Sequence, residues 1–495
     1  MSFVSEFNSL LTRAAYKCRL ARQKAICYQL SKMRLLRYLL LTAASLTLCC
    51  LARVTNAALI LTPLAQFYGT NGASCMAPLL EGADGNFYGT TFGGGSNYNG
   101  TIFKMTPNGD LTTLVFFNGT NGANPQGGLV QGADGNFYGT TLLGGAGYGT
   151  VFRMTPDGAL TTIVSFNGTN GANPASTLIQ SPEGNFYGTT GGGGAGGSGT
   201  IFVLETNGAL TTMAAFNGTN GTQPSHRMVR TADGSLYGTT YAGGPSNLGT
   251  IFQMTPDGTL TTLAWFNGTN GANPNGGLAQ GTDGNLYGTT IAGGASTALN
   301  EFRIVGYGTV FRATTNGAFL SLASFNDANG SIPQGALAQG TDGNFYGTAS
   351  LGGIPHYGQG GLGVVFQVTT NGTLTDLTAF NSMNGAQPGG GLILASDGLL
   401  YGTTVGVNSQ AGGEVFRLTN AAPPAFQTIS TVGNTIVFTW SALTGQVYQI
   451  QYNSALSSTN WNNFWGAYPA TTGTMTASDT IGPGPQRFYR VVLLP

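Results

Sequence analysis

At 495 residues the chain is long enough for two or three domains, and 81 Gly with only 7% charged residues mark it as turn-rich. A hydrophobic content of 41%, with 28 Phe and 20 Tyr, excludes a disordered Gly-rich polymer. The net charge of zero hides an asymmetry: nine of the eighteen Lys and Arg lie in residues 1–53, and the remainder carries nine basic against seventeen acidic residues, a net −8. That balance excludes nucleic acid as an expected partner, because phosphate binding needs a basic face.

The N-terminal segment accounts for the asymmetry. From Met33 the chain reads "MRLLRYLLLTAASLTLCCLARVTNA", with Arg34 and Arg37, an apolar run from Tyr38 to Ala52, and small residues at Thr55 and Ala57. This is the order of a secretory signal, so residues 1–57 are expected to be an N-terminal extension and signal peptide, with Met33 a candidate start. The apolar run is about 15 residues, short of the roughly 20 that span a bilayer. The predicted location is secreted, periplasmic or cell-surface; the alternative is an uncleaved anchor through roughly 35–57. Four of the five Cys fall in this leader, leaving Cys75 with no partner for an internal disulfide.

Residues 58–420 are a tandem array. "GADGNFYGTT" at 82–91 returns at 132–141, 181–190, 231–240, 281–290, 340–349 and 395–404. The turn acids Asp84, Asp134, Glu183, Asp233, Asp283, Asp342 and Asp397 are spaced by 50, 49, 50, 50, 59 and 55 residues. One unit, 128–166, reads as four strands: "GLVQGA" (a), an Asp-Gly turn, "NFYGTT" (b), a Gly-rich loop, "TVFRMT" (c), a "PDG" turn, and "LTTIVSF" (d). Aromatic and β-branched residues dominate, and no segment sustains a helical period. Seven four-stranded units predict an all-β fold, a seven-bladed β-propeller; the rival is an open β-solenoid.

Strand counting separates the two. Strands a, b and c occur seven times, but d follows c only six times, and after "EVFRLT" (414–419) the chain leaves the array. The missing strand is "LTPLAQF" at 61–67, which matches "LTTLVFF" at 111–117. The N-terminal strand is therefore predicted to complete the last blade, with Pro63 tolerated on an outer edge strand.

The long motif "DGNFYGTT…GG…GTVFRMTPDGALTT…SFNGTNGANP" resembles the GloVer (Gloeo/Verruco) tandem-repeat family of bacterial exported proteins, over about 59–420. The resemblance implies an exported repeat protein. It implies no established activity and transfers no functional residue.

Residues 421–495 change character. After the Pro-containing "NAAPPA" come strand-like runs at 434–440, 446–453, 461–468, 473–479 and 486–494, and Trp440, Tyr448 and "RFYRV" resemble a fibronectin type III-like sandwich. Trp440 reads as core. Trp461 and Trp465 offer sugar stacking, with packing the plainer reading.

Catalytic chemistry finds few residues. The two His of the chain, His226 and His356, occupy non-equivalent places, and the regular acids read as turn residues that accept backbone N–H bonds. No metal or other cofactor is expected. In a four-strand meander the d–a and b–c connections share one face. Two b–c loops are extended, at 292–308 and 351–363, which gathers Glu301, Arg303, Tyr307, His356 and Tyr357 on the rim of blades five and six as candidate binding residues. The expected function is a non-catalytic exported binding scaffold, a monomer, for an unknown surface glycan or protein. The alternatives are an extracellular carbohydrate-active enzyme on a propeller scaffold, or a purely structural or adhesive envelope component.

Overall fold

The computed structural model describes residues 59–493 apart from 225, 296–297, 301–302, 354–360, 382–383, 407–411, 421–425, 433–434, 443–446, 454–460 and 481–486. The leader thus lies outside the described residues. Among the described residues there is no helix, and the architecture is all-β and propeller-like.

Among the described residues the array forms seven antiparallel sheets, numbered in chain order, that share the strand order a-b-c-d; in the fifth an extra short strand, Ala272–Pro274, also pairs with strand b. Sheet one is Leu80–Glu81, Phe87–Thr91, Thr101–Met105 and Leu111–Phe116, and sheet four is Val229–Arg230, Leu236–Thr240, Thr250–Met254 and Leu260–Trp265. Sheet seven is Ile393–Leu394, Leu400–Thr403 and Glu414–Asn420, with the N-terminal strand Leu59–Gln66 as its fourth member. Leu59 lies opposite Asn420 and Gln66 opposite Glu414. The other outer strands all carry a bulge, as where Ile102 faces Val115 but Phe103 faces Thr113. The N-terminal strand bulges at the same position, between Pro63 and Ala65. The fragment is thus a strand d in pairing, register and irregularity.

The repeated "FYGTT" is a packing code. In sheet one all five residues, Phe87–Thr91, are buried. A Cβ on Gly89 would lie 2.4 Å from Phe103 Cζ, so glycine is what lets the strand-c phenylalanine lie across strand b. Phe103, Phe152, Phe202, Phe311, Phe366 and Phe416 are each fully buried. The Phe-Tyr pair links neighbouring sheets. Tyr88 meets Phe137 at 4.1 Å between ring centroids, Tyr138 meets Phe186 at 4.1 Å, and Tyr287 meets Phe345 at 4.0 Å. Tyr401 of sheet seven meets Phe87 of sheet one at 4.3 Å. Such pairs add about 0.5–1.5 kcal/mol beyond their buried area.

Strand a is shorter than the sequence predicts, two paired residues rather than six. The residues before those pairs run close to the neighbouring strand a instead. A Cβ on Gly127 would lie 2.6 Å from the Ser176 carbonyl oxygen, and one on Gly390 2.5 Å from that of Ala77.

The C-terminal residues form two three-stranded sheets. One is Phe426–Val432, Thr435–Ser441 and Thr474–Thr480; the other is Val447–Asn453, Asn462–Pro469 and Phe488–Leu493. They share a core around Trp440, which is fully buried with Phe438, Tyr448 and Ile450. The strand Phe426–Val432 is absent from the sequence reading, which runs the linker into it. Trp461 is half-buried, with the Arg490 guanidinium 4.4 Å from its ring centroid, so one face of that indole is covered.

Candidate functional site

The turn acids are structural, as their sequence context implies. Asp134 accepts the Asn136 amide at 3.1 Å, the Asn136 side chain at 2.7 Å and the Tyr138 hydroxyl at 2.8 Å. Asp283 and Asp342 repeat the arrangement. At Asp84, partial burial works to raise the carboxyl pKa, but hydrogen bonds from Lys104, Asn86 and Tyr88 hold it well below the usual range. Among the described residues no group of three or more His, Cys, Asp or Glu is placed to hold a metal ion.

The extended loops are described in part. In the first, Ala298–Asn300 pairs with Arg303–Val305 as a small hairpin, so Arg303 sits on its returning arm. Tyr307 is half-buried against the core between sheets five and six, and its carbonyl accepts the Ile332 amide at 3.0 Å. The equivalent Tyr148 carbonyl accepts Asn173 at 2.9 Å, so this part of Tyr307 is repeat architecture. Glu301, His356 and Tyr357 lie outside the described residues.

A different place stands out. A cavity of about 1040 Å³ is lined by the first strands of all seven sheets. Seven residues before each turn acid the repeat places small residues, Ala77, Gly127, Ser176, Gly276, Gly335 and Gly390 in six sheets, but His226 in sheet four. The next position holds Pro78, Gly128, Thr177, Gly277, Ala336 and Gly391, but Arg227 in sheet four. Both departures are large, polar and adjacent, and both line the channel.

The consequences are local. Elsewhere the second-last threonine of strand b donates to the strand a of the next sheet. Thr90 bonds the Gly127 carbonyl at 3.3 Å, Thr140 that of Ser176 at 3.2 Å, Thr348 that of Gly390 at 3.4 Å, and Thr403 that of Ala77 at 3.2 Å. The equivalent hydroxyls beside sheet four, Thr189 and Thr239, are buried with no hydrogen-bond partner, as is His226 Nε2. A buried polar atom without a partner costs about 1–3 kcal/mol, so three in and beside sheet four mark a place where the fold forgoes stability.

Electrostatics follow from depth. Burial pushes the His226 imidazole down to about 4, against a smaller opposing effect from its hydrogen bond with the Asn275 side chain. The ring is therefore neutral at ordinary pH. Arg227 is exposed to the channel while lying deep in the molecule, and that depth lowers its pKa. Arg230, at the far end of the same strand, also lines the cavity. Among the described residues, neither arginine forms an ion pair.

Residue type alone does not reveal this site; the sequence reading passes over His226 as one isolated histidine. Its signal is a column of small residues broken once.

The Gloeobacter/Verrucomicrobia repeat family matches the chain at 49–181, 76–302, 143–359 and 300–476. No curated protein matches it. Among solved structures, a putative 6-phosphogluconolactonase from Bacteroides uniformis is similar at 16% identity, covering 79% of this chain and 99% of its own, with a TM-score of 0.44. A gluconolactonase from Xanthomonas campestris is similar at 14% identity, covering 58% and 83%, with a TM-score of 0.37. A puromycin hydrolase is similar at 13% identity, covering 77% and 62%, with a TM-score of 0.43. By name these structures are lactonases and a hydrolase, whereas the sequence reading expects no enzyme.

Proposed function

The chain belongs to the Gloeobacter/Verrucomicrobia repeat family, and from that premise we propose that it is an exported, closed seven-bladed β-propeller with a hydrolytic site in its axial channel. The N-terminal strand acts as the clasp of the ring, and the C-terminal sheets form a fibronectin type III-like module. One observation carries the functional reading: at two adjacent repeat positions the small residues of six sheets give way once, in sheet four, to His226 and Arg227, which line the channel.

The chemistry follows from the protonation state. A neutral imidazole held by the Asn275 side chain leaves Nε2 without a partner just behind the channel surface, and rotation of the His226 side chain brings that lone pair to a channel water. Water oxygen attacks an ester or lactone carbonyl, and Nε2 accepts the water proton. The guanidinium of Arg227 faces the charge that develops on the carbonyl oxygen. The C–O bond to the leaving alkoxide then breaks, and the imidazolium returns the proton to it. No metal enters this scheme.

The test is turnover of a panel of neutral carboxylate esters and aldonolactones by the full-length protein. Hydrolysis is expected, reduced about a hundredfold or more in His226→Gly, the magnitude usual for a lost general base. His226→Gly places in sheet four the glycine that sheets two, five, six and seven carry. Equal turnover by His226→Gly, or none across the panel, contradicts the proposal.

A further inference from the structure

The departures in sheet four extend beyond two residues. At the outer end of strand a, sheets two, three, five and six carry Gln131, Gln180, Gln280 and Gln339. Three of these glutamines accept the turn amide of the preceding sheet: Gln131 from Ala83 at 2.9 Å, Gln180 from Ala133 at 3.0 Å, and Gln339 from Thr282 at 2.9 Å. Sheet four has Arg230 at this position, and the turn residue it would serve is Pro182, which has no amide hydrogen to give. An arginine side chain has no acceptor for such a bond either. Both halves of the latch are changed together, and the side chain that replaces it is a cation on the channel wall.

The charged residues lining the channel are Glu81, Arg227 and Arg230, besides neutral His226. Glu81 is occupied: it accepts the Ser396 amide at 2.7 Å and also binds the Ser396 hydroxyl. Arg230 feels Glu183, the adjacent turn acid of sheet three, at a distance. Among the described residues Arg227 forms no ion pair, and the imidazole next to it, His226, leaves Nε2 without a partner. From residue 58 onward the chain carries a net −8, so two unpaired cations are enclosed in an acidic molecule.

We infer that the sheet-four wall is an anion-binding site for a small carboxylate- or phosphate-bearing ligand, with Arg227 holding the anion and Arg230 completing the positive field. A guanidinium matches either anion in a bidentate pair. This inference deepens the proposed hydrolytic function, since it assigns the substrate class of that site and rests on the channel being used.

Calorimetric titration of the full-length protein with sodium gluconate, inorganic phosphate and neutral sorbitol tests it. Gluconate is expected to bind at least tenfold more tightly than sorbitol, and Arg227→Gly to weaken gluconate at least tenfold without changing sorbitol. Glycine stands at this position in sheets two, five and seven, so the variant keeps a residue the repeat already uses. Arg230→Gln is a second variant, expected to weaken gluconate in the same direction. Phosphate binding with the same Arg227 dependence, without gluconate binding, supports the anion site and assigns its source as phosphoryl. Gluconate and phosphate affinities unchanged in Arg227→Gly and Arg230→Gln, or binding of neither anion, overturns it. The two proposals fail separately. His226-dependent turnover of neutral esters with no anion binding keeps the hydrolase and removes the acid. Arg227-dependent anion binding with no turnover does the reverse.

Discussion

The Ser396 amide donates to Glu81 Oε2 at 2.7 Å, joining residues 315 positions apart. Gln131, Gln180 and Gln339 make the same bond at other seams, so the contact between sheets seven and one uses the latch of the ordinary interior seams. The N-terminal strand and this latch converge on the same pair of sheets, one through backbone pairing and the other through a side chain.

Glu81→Ala is therefore expected to destabilise the array by about 1 kcal/mol, the usual net value of such a hydrogen bond. Glu81→Gln should retain most of it, because glutamine performs this role elsewhere. Urea unfolding midpoints at constant slope measure both.

The seam between sheets three and four lacks the latch for two reasons at once, Pro182 and Arg230. The double variant Pro182→Ala/Arg230→Gln restores both halves and should gain about 0.5–1.5 kcal/mol relative to Arg230→Gln alone. No gain in the thermal midpoint would show that Pro182 is not what prevents the bond.

His226 sets a pH dependence. Its folded pKa near 4 lies below the ordinary 6.5, so the unfolded chain binds more protons between those values. Stability is full above pH 6.5, falls as pH drops towards 4, and levels off below that. The loss is on the order of 3 kcal/mol for a shift of this size. The denaturation midpoint of the natural protein should fall between pH 7 and pH 4 by more than that of His226→Gly, which lacks the group.

Glu414 works in the opposite sense. It is buried, its Oε1 accepts Gln66 Nε2 at 2.9 Å, and its Oε2 has no partner. Burial raises its pKa, against a smaller lowering by Gln66. A raised folded pKa means stability fully present below the unfolded value and lost as pH rises through the folded one. Glu414→Gln should thus raise the melting temperature at pH 7 and lose that advantage near pH 4, where the natural carboxyl is protonated.

Much of the scaffold is legible in the sequence, because its signals are repeated. The fragment "LTPLAQF" identifies itself as a strand d by likeness to 111–117, and its pairing with Glu414–Asn420 follows. The Asp-Gly turns declare their geometry. Strand a reads too long, because packing near the axis, seen in the close approach of Gly127 to Ser176, decides where pairing starts. Phe426–Val432 is hidden by the prolines before it. The channel site escapes a reading by residue type, since a histidine and two arginines carry no motif. His226 and Arg227 become visible only against the small residues of the equivalent positions in the other six sheets, and Arg230 against the glutamines that four of them carry.

Whether the channel wall of sheet four or the rim of sheets five and six engages ligand is the central question, and hydrogen exchange with and without gluconate addresses it in one measurement. The account predicts slowed exchange over 226–230 and 275–280, with the loops at 292–308 and 351–363 unchanged. Slowed exchange confined to those two loops would contradict it.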